Sequence, residues 1–417
     1  MNIAIVDPYI SGRYLAQTLS EHQINSIAIL TNTSVAEKMQ LSGRLNPASF
    51  THLVYLENYK QDDLIRHLVS LDIDMLIAGT EYVIEEAETL STQLGLKYGN
   101  PLITLPLRKN KSSILKHLGA ENIGMPASEY INLHDEKIAQ TVQRIATTLR
   151  FPLFIKPCSA GGSFGIKRCN NLAELDRAIL DLRSKQYGLS NETVKTAIVQ
   201  EFIDAPEYSL NAVSYAGKHY ITGVWLYEKS YHDGDIPCYV EANLVNLAPS
   251  MRQTIQAFVD DSLNALEWQY GFSHIEFFWH QNKPVMVEVN FRLPGVFGFL
   301  CNLEKSAYGD DQVTILNKLI KKNEVAHHNL HPQGKARILF LSNRIPYTVP
   351  TFSPEAFHKI ESVVLFRQNI ISGSSMPPAK SLSDCILYIG LYNEDERQLN
   401  RDTQLINDLL NRNYGLQ

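Results

Sequence analysis

The sequence has few cysteines, and they form no pattern typical of a disulfide framework or a zinc site. Its 417 residues contain five, and none belongs to a CxxC pair or has a pair of histidines nearby. An odd and scattered set argues against both kinds of site. These cysteines are Cys158, Cys169, Cys238, Cys301 and Cys385. The chemistry of the chain is therefore expected from other residue types.

Long basic runs and long apolar runs are also absent. The net charge is −6, and no cluster of lysine and arginine offers a surface for a nucleic-acid backbone or an anionic membrane. No stretch of 18 apolar residues occurs, and the start MNIAIVDPYISGRYLAQTL lacks the basic and apolar regions of a signal peptide. We therefore expect a cytoplasmic protein that acts on small molecules and binds neither nucleic acid nor membrane.

Two common nucleotide-binding motifs are missing. The first turn, DPYISGR, has one glycine where a dinucleotide fingerprint has GxGxxG, so a plain strand-to-helix turn is the better interpretation. The glycine-rich loop after Lys156 lacks the GK[ST] of a Walker A motif and is followed by a strand instead of a helix. Any nucleotide site must therefore be built in another way.

The order of apolar runs predicts an α/β and α+β multidomain fold. Residues 1–108 alternate short apolar strands with helical patterns, as parallel βαβ units do. Residues 109–196 indicate a small lobe with a glycine loop, and residues 197–330 a larger lobe of mainly antiparallel strands, among them IVQEFI. Residues 331–417 add two strands and a final helix, which we expect to form an appended subdomain.

The segment HIEFFWHQNKPVMVEVNFR predicts a hairpin with an unusual polar face. With the turn at residues 281–283 and the hairpin centred on Asn282, Glu276 lies directly opposite Glu288. Period-two alternation places five polar residues on one face: His274, Glu276, Glu288, Asn290 and Arg292. The other face is expected to be apolar throughout, with Ile275, Phe277, Trp279, Val285, Val287, Val289 and Phe291.

The two opposed glutamates point to a cation. Their Cβ atoms would be about 5 Å apart, and like charges at that separation destabilise a sheet unless a positive charge lies between them. Carboxylate oxygens with the amide of Asn290 suit octahedral magnesium bound to phosphates. The alternative is a solvated sheet face on which Glu276 and Glu288 are merely exposed.

A flexible loop lies between two predicted strands near Lys156. Backbone N–H groups of such a loop can cover phosphate oxygens while the lysine supplies a positive charge. The loop residues concerned are Gly161, Gly162, Ser163 and Gly165. Lys111, at the start of a predicted helix, would provide a second phosphate contact. A structural hairpin turn and a solvated lysine are the alternatives.

The segment IVQEFIDAPEYSLN has the pattern of an interdomain hinge, with an apolar strand, an acidic bend and another strand. The backbone at residues 201–203 could contact adenine, and Glu207 could contact ribose; an ordinary strand and turn is the alternative. Further along, residues 228–243 mix glycine, proline, charges and aromatics, which fits either a substrate-gating loop or a surface connection.

Taken in order, NKSSILK, FPLFIKPCSAGGSFGI, VQEFIDAPEYSLN, GFSHIEFF and VEVNFRLPG resemble the ATP-grasp superfamily over residues 110–300. The resemblance implies that Lys111 and Lys156 bind the phosphates of ATP under the loop at residues 161–165. It implies that Glu201, Phe202 and Ile203 flank adenine and that Glu207 holds the ribose. It further implies two magnesium ions, replaceable by manganese, on Glu276, Glu288 and Asn290.

Within that superfamily the chain is similar to the L-amino acid ligases, which make dipeptides and related amides. The resemblance implies a carboxylic acid, an amine or amino acid and an acyl phosphate intermediate, and a homodimer is a family expectation. Phe291 stands where members commonly have proline, and LPG where they have paired glycines, so the acid pocket is expected to differ in shape. Biotin-carboxylase-like, carbamoyl-phosphate-type and non-catalytic regulatory functions are the alternatives.

Two residues are predicted to act on the reacting groups. Arg292 matches the arginine that steadies the transferred phosphoryl group, and it is the best donor for the oxyanion formed when the amine adds. His274, on the same face, would bind substrate or accept a proton, or else support a neighbouring ligand from behind. Intact charged residues across the motifs favour an enzyme over a regulatory module.

Overall fold

A computed structural model describes residues 1–108, 111–158, 165–187, 192–232, 236–322, 331–379 and 382–415. Three sheets of four or more strands organise the chain: a parallel one, a small antiparallel one and a large antiparallel one. The predicted combination of α/β and α+β lobes is confirmed. Among the described residues, no helix has both the length and the hydropathy to cross a lipid bilayer.

The N-terminal lobe contains the parallel sheet, with strand order β3-β2-β1-β4. Its elements are β1 Asn2–Val6, α1 Ser11–Glu21, β2 Asn25–Leu30, α2 Thr33–Leu41, β3 His52–Tyr55, α3 Gln61–Ser70, β4 Met75–Ala78 and α4 Ile84–Gln93. The two central strands, β1 and β2, are continuous apolar runs because the sheet is covered on both faces. Ile3 and Ile5 pack towards the large lobe, whereas Ala4 and Val6 pack under the lobe's own helices.

A linker and a small lobe follow. Their elements are α5 Leu105–Arg108, α6 Lys111–Ala120, β5 Ser128–Asn132, α7 Ile138–Thr148, β6 Leu153–Pro157, β7 Lys167–Cys169, α8 Leu172–Arg183, β8 Gln186–Tyr187, β9 Glu192–Thr193 and β10 Thr196–Glu201. The small sheet has the order β5-β10-β6-β7 and is antiparallel. Its core of aliphatic side chains packs against α7 and α8.

The small lobe contains a strand that the prediction gave to the large sheet, and a helix at its start packs on the large lobe. β10, the run predicted to join the large sheet, pairs with β5 and β6 instead. Its side chains face two cores, since Val199 packs in the small lobe and Ile198 packs with the large one, so the sequence pattern alone did not identify its sheet. At the other end, α6 buries Ile114 and Leu118 in the core of the large lobe. Because β10 belongs to the small sheet, a lobe boundary after residue 196 would cut through that sheet.

The large lobe is built on one eight-stranded sheet with the order β15-β14-β11-β12-β13-β16-β20-β18. Its elements, with those of the C-terminal segment, are β11 Glu207–Tyr215, β12 Lys218–His232, β13 Ile236–Leu244, α9 Pro249–Ala265, β14 Gly271–His280, β15 Lys283–Asn290, α10 Phe299–Tyr308, α11 Gln312–Lys322, β16 Lys335–Leu341, β17 Tyr347–Thr348, α12 Pro354–His358, β18 Val363–Gln368, β19 Ser375–Met376, β20 Leu387–Asn393 and α13 Glu396–Tyr414.

The C-terminal strands extend the large sheet, so the subdomain predicted for residues 331–417 shares that sheet with the large lobe. β16 pairs with β13, and β20 and β18 extend the same ladder. α10, which the sequence interpretation missed, packs Leu300 and Leu303 on strands from both segments. The segment does have a core of its own on the other face, where α12 and α13 pack.

The hairpin of β14 and β15 contains a β-bulge. The predicted pairs are present, with His274 opposite Asn290 and Glu276 opposite Glu288. Beyond Glu276 the register shifts by one, so that Phe277 faces Met286 and Val287 is the extra residue. The turn is therefore the two residues Gln281 and Asn282, which both have positive φ angles, of 50° and 60°.

The bulge changes the predicted apolar face. Met286 is fully buried in the core next to Phe277, a position the sequence interpretation gave to Val285 and Val287. Val287 lies instead on the side of the large cavity. Val289 and Phe291 are buried as predicted, since they lie past the bulge.

Candidate active site

A cavity of about 570 Å³ lies where the three sheets meet. Its wall contains residues from the N-terminal lobe, α6, the small sheet, the hinge and the large sheet. The described residues of the predicted site all line it except Gly165: Lys111, Lys156, Glu201, Phe202, Ile203, Glu207, His274, Glu276, Glu288, Asn290 and Arg292. The structure thus brings together residues that are up to 181 positions apart in the sequence.

A lysine and a histidine contact the opposed glutamates. The Nζ of Lys111 is 2.9 Å from Oε2 of Glu288, and Nε2 of His274 is 3.4 Å from Oε1 of Glu276. Burial opposes the ionisation of Glu276, but its hydrogen bond and attraction to His274, with the charges of Lys229 and Lys111, bring its pKa to about 2. The pKa of Lys111 is raised by Glu288 and Glu81 against the opposite effect of burial. Both groups are therefore charged at neutral pH.

The bulge gives Lys156 its position. Because Val287 has no partner residue across the hairpin, its carbonyl can accept a hydrogen bond from outside, and Nζ of Lys156 donates to it over 3.3 Å. Burial lowers the pKa of Lys156, Glu288 opposes this effect and Lys111 adds to it, and the resulting pKa is about 8. A lysine with this pKa is mostly charged at neutral pH, and its hydrogen bond to Val287 holds it in the cavity, where it can contact an anionic ligand.

Arg292 extends the charged surface towards the N-terminal lobe. Its NH2 group is 3.0 Å from Oε2 of Glu81, and its NH1 donates to the carbonyl oxygen of Leu293 over 2.9 Å. Burial would raise the pKa of Glu81, but Arg292 and Lys111 outweigh it and the pKa is lowered. Arg292 correspondingly has a raised pKa despite its burial.

His274 links the carboxylates to a buried polar chain. Its Nδ1 is 2.8 Å from Oδ1 of Asn211, and the Nδ2 of Asn211 donates to Glu304 over 2.5 Å. Glu304 also accepts from Trp225 over 2.8 Å and from Thr222 over 2.9 Å. Both ring nitrogens of His274 therefore face protein groups, which favours the supporting role over direct proton transfer.

The hinge, residues 201–203, also lines the cavity. The N–H of Glu201 donates to Ala127 and that of Phe202 to Pro152, over 2.9 and 3.0 Å, so neither amide is available to a base. The Glu201 carboxylate accepts the amide of Arg150. Within the described part of the chain, the N–H of Ile203 has no such partner. Of the three predicted hinge residues, Ile203 therefore offers the free backbone donor.

Glu207 is engaged by two residues of the large sheet. Its carboxylate is ion-paired with Lys229 and accepts a hydrogen bond from Tyr239 over 3.0 Å. It is buried at the start of β11, next to the hinge. The predicted ribose-binding position is thus in the cavity, and its carboxylate is oriented by Lys229 and Tyr239.

Three predicted loop residues, Gly161, Gly162 and Ser163, lie outside the described residues. Gly165 is described and has a φ of 69°. A Cβ at that position would come within 2.8 Å of Leu182 and 3.1 Å of Pro157. At position 165, therefore, only glycine fits both the backbone conformation and the available space.

Residues 228–243 do not form a loop in the part that the structure describes. They belong to β12 and β13, which pair with one another around residues 233–235, and a bulge interrupts the ladder after Glu228. Lys229 and Tyr239 from this hairpin line the cavity. Residues 233–235, with the glycine that helped to suggest a gate, lie outside the described residues, and the rest of the segment forms two long paired strands.

The sequence interpretation missed Glu81, Lys229 and Tyr239. Glu81 was detectable, because it comes just after β4 and ligands of parallel sheets bind at the carboxyl ends of their strands. Lys229 and Tyr239 had no such signal, since their partner Glu207 lies on another strand and the bulge sets their direction. Pairing of β11, β12 and β13 brings Lys229 and Tyr239 to Glu207.

The donor set fits magnesium. The described residues contain no group of three His, Cys, Asp or Glu side chains able to hold a metal by themselves. Glu276 and Glu288 nevertheless face each other, and Asn290 follows on the same side of the cavity. Magnesium commonly takes one or two protein carboxylates and completes its shell with phosphates and water. These oxygen donors therefore suit a metal that arrives with a nucleotide.

Comparisons with known proteins agree with this geometry. The family described as D-ala D-ala ligase C-terminus matches residues 120–320. Dapdiamide A synthase of Enterobacter agglomerans is 21% identical over 383 residues, which cover 89% of this chain and 87% of that protein. The match to it thus extends over the N-terminal and C-terminal segments as well.

Solved structures share the fold. The L-amino acid ligase from Bacillus licheniformis superposes with a TM-score of 0.75 at 16% identity, over 98% of this chain and 97% of that one. The biotin carboxylase domain of Hydrogenobacter thermophilus 2-oxoglutarate carboxylase, solved with MgADP, ADP and bicarbonate, superposes with a TM-score of 0.64 at 13% identity, over 94% and 86%. Residues 120–320 thus match the D-ala D-ala ligase C-terminus family, and the chain as a whole has the ATP-grasp fold that the five ordered motifs predicted.

Proposed function

We propose that this enzyme uses ATP and magnesium to join a carboxylic acid to the amine of an amino acid through an acyl phosphate, releasing ADP and phosphate. The hinge at residues 201–203 would hold adenine between the small and large lobes, and Glu207 would hold the ribose. Lys111 and Lys156 would contact the phosphates. Glu276, Glu288 and Asn290 would hold the magnesium ions, or manganese in their place.

Activation of the acid is the first step. A carboxylate is a poor electrophile, so its oxygen attacks the γ-phosphorus of ATP, the bond to the β-phosphate oxygen breaks, and ADP leaves. Magnesium held by the two glutamates would neutralise charge on the phosphates. Lys111 and Lys156 add positive charge beside them, and their fixed positions help to align the reacting groups. The product of this step is an acyl phosphate.

Amide formation is the second step. The amine nitrogen attacks the acyl carbon, the carbonyl oxygen becomes an oxyanion, and phosphate leaves as the carbonyl reforms. Arg292 would donate from its guanidinium to that oxygen, and its ion pair with Glu81 would keep it oriented. The amine loses one proton overall. Both ring nitrogens of His274 face protein groups, so we propose that His274 orients Glu276.

The observation that carries this proposal is the convergence on one cavity of an opposed carboxylate pair, two partly buried lysines and an ion-paired arginine. A nucleotide-binding regulator would need neither the carboxylate pair nor Arg292. The fold shared with the L-amino acid ligase from Bacillus licheniformis and the match to dapdiamide A synthase support amino acids as substrates.

The test is ADP release from ATP and magnesium with a panel of acids paired with amino acids, with product masses determined by mass spectrometry. We expect release to require both an acid and an amine and to yield a product lighter than their sum by one water. Release that depends on bicarbonate alone would indicate a carboxylase or a carbamoyl-phosphate-type enzyme. No release with any pair would indicate a regulatory module. We also expect a homodimer, which light scattering after size exclusion would detect.

A further inference from the structure

One basic residue of the cavity has no role in the steps above. Five lysines and arginines line the cavity among the described residues: Arg44, Lys111, Lys156, Lys229 and Arg292. The last four contact a carboxylate or a carbonyl group. The side chain of Arg44 has neither a hydrogen bond nor an ion pair with any described residue. It is partly buried and lines the cavity, where no described residue pairs with its charge.

The main chain around Arg44 is held firmly. Its carbonyl oxygen accepts the N–H of Ile10 over 3.0 Å, and NH1 of Arg13 donates to the carbonyl of Gly43 over 2.8 Å. Ile10 itself follows β1 and lines the same cavity. The loop after α2 is therefore tied to the first strand-to-helix turn, and Arg44 is presented from a fixed position.

A second arginine adds to the positive charge on this side. The guanidinium of Arg367, at the end of β18, lies 3.6 Å from the centre of the Phe297 ring, and its Nε has no hydrogen-bond partner in the described part of the chain. Burial lowers the pKa of Arg367, and the nearby charges of Arg13 and Arg44 lower it further. Arg367 thus adds positive charge behind Phe297, which lines the cavity together with Arg44, and no described carboxylate forms an ion pair with either arginine.

The wall at this end is apolar and aromatic, with Phe297, Leu300, Phe340 and Tyr388. Val296 and Phe297 have positive φ angles of 59° and 54°, which is costly for a β-branched and an aromatic residue. Such strain persists where the surroundings enforce it, and it is frequent at ligand sites. The ring of Phe297 lies under Arg367 and lines the cavity, so the strained segment builds this wall.

Neither the nucleotide nor the reacting group accounts for Arg44. The phosphates of ATP are assigned to Lys111 and Lys156, and the acyl phosphate to Arg292. We infer that one of the two substrates carries an anionic group, a carboxylate or a phosphate, in addition to its reacting group and to the α-carboxylate of an amino acid. Arg44 binds this additional group while the apolar wall contacts the carbon skeleton in between. This inference rests on the proposed function and specifies the class of its substrate.

The experiment compares matched neutral and anionic substrates. Glutamine with glutamate and serine with phosphoserine are supplied as the varied amino acid, and kcat/KM for ADP release is measured in the wild type, Arg44→Gln and Arg66→Gln. The same is done for monocarboxylic and dicarboxylic acids as the varied acid. Arg66 is an exposed arginine of the N-terminal lobe and serves as the matched control.

We expect the wild type to prefer the anionic member of one series by about 10- to 100-fold, the range of a charge-assisted hydrogen bond. The preference should fall to about 1 in Arg44→Gln, persist in Arg66→Gln and be partly kept in Arg44→Lys, which retains the charge without the forked donors. The glutamate and phosphoserine arms distinguish a carboxylate from a phosphate. Equal rates for both members in the wild type, or an unchanged preference in Arg44→Gln, would overturn the inference.

Binding separates this inference from the proposed function. If no pair of substrates causes ADP release, the proposed function fails, and the same compounds are then titrated calorimetrically with magnesium and a non-hydrolysable ATP analogue. Affinity for an anionic compound that drops about tenfold or more in Arg44→Gln, and stays in Arg66→Gln, supports the anion site. Equal affinity in all three proteins contradicts it.

Discussion

Arg292 and Glu81 form an ion pair across the junction of two lobes, with NH2 and Oε2 3.0 Å apart. Arg292 follows β15, the strand with two of the proposed metal ligands, whereas Glu81 follows β4 of the parallel sheet. Each side chain is about four-fifths buried. Burial is costly for either charge alone, so each residue fixes the position of the other. The N-terminal lobe thereby orients the residue that we expect to stabilise the reacting oxygen.

Glu81→Gln should lower kcat by about 10- to 100-fold, because Arg292 loses its charged partner and with it a fixed orientation. We expect the double variant Glu81→Gln with Arg292→Lys to lose less than the sum of the two single free-energy effects, since both act on one interaction. Steady-state ADP release measures both. Glu85→Gln, an exposed neighbour on α4, is the control, and strictly additive losses would show that Glu81 acts elsewhere.

Arg292→Ala should reduce kcat by about 100- to 1,000-fold, the usual cost of losing one oxyanion donor. Arg292→Lys should recover part of that loss, because it restores a charge without the planar fork. Comparison of kcat with the KM for ATP locates the effect: a loss confined to KM would mean that Arg292 only helps to bind the nucleotide.

Glu288→Gln should abolish turnover even at high magnesium. The substitution removes a predicted metal ligand and also the partner of Lys111, 2.9 Å away. Titration of MgADP by calorimetry should show the corresponding loss of affinity. Glu136→Gln, at an exposed position, should behave as the wild type. Near-normal activity in Glu288→Gln would contradict the metal assignment.

Stability should depend on pH through Glu304. Burial raises its pKa to about 7 from an ordinary value of 4.5, despite hydrogen bonds from Trp225, Asn211 and Thr222. The folded chain therefore binds this proton more tightly than the unfolded chain. The resulting stabilisation is fully present below pH 4.5 and is lost as the pH rises through about 7.

Glu304→Gln should remove this dependence, because the amide keeps the shape of the protonated acid and can still accept from Trp225 and Asn211. We expect the Tm of the wild type to fall by a few degrees more than that of the variant between pH 5 and pH 8. Thermal unfolding followed by circular dichroism in matched buffers measures the difference. Parallel profiles would show that Glu304 does not titrate in this range.

The sequence alone predicted those features that depend on residues close together in the chain. Alternation around the turn placed Glu276 opposite Glu288, and the same face carried Asn290 and Arg292. Continuous apolar runs identified the parallel sheet of the N-terminal lobe. These features depend on neighbours along one strand or one hairpin, for which the period of two is informative.

Features that depend on distant pairing could not be predicted in this way. β10 has apolar residues on both faces, and its sheet is decided by β5 and β6. Glu207 lies 22 residues from Lys229, and their contact requires both strands of the large sheet. The ion pair of Arg292 and Glu81 joins residues 211 positions apart, which no local pattern encodes.

The bulge at Val287 arises because the number of residues between Glu276 and Glu288 is odd. Eleven residues separate Glu276 from Glu288, and a hairpin closed by a two-residue turn can pair only an even number between two opposed positions. One residue must therefore remain over, and its carbonyl is the one that Lys156 contacts. Shortening this hairpin by one residue would let the strands pair regularly, keep the two glutamates opposed and still deprive Lys156 of its acceptor.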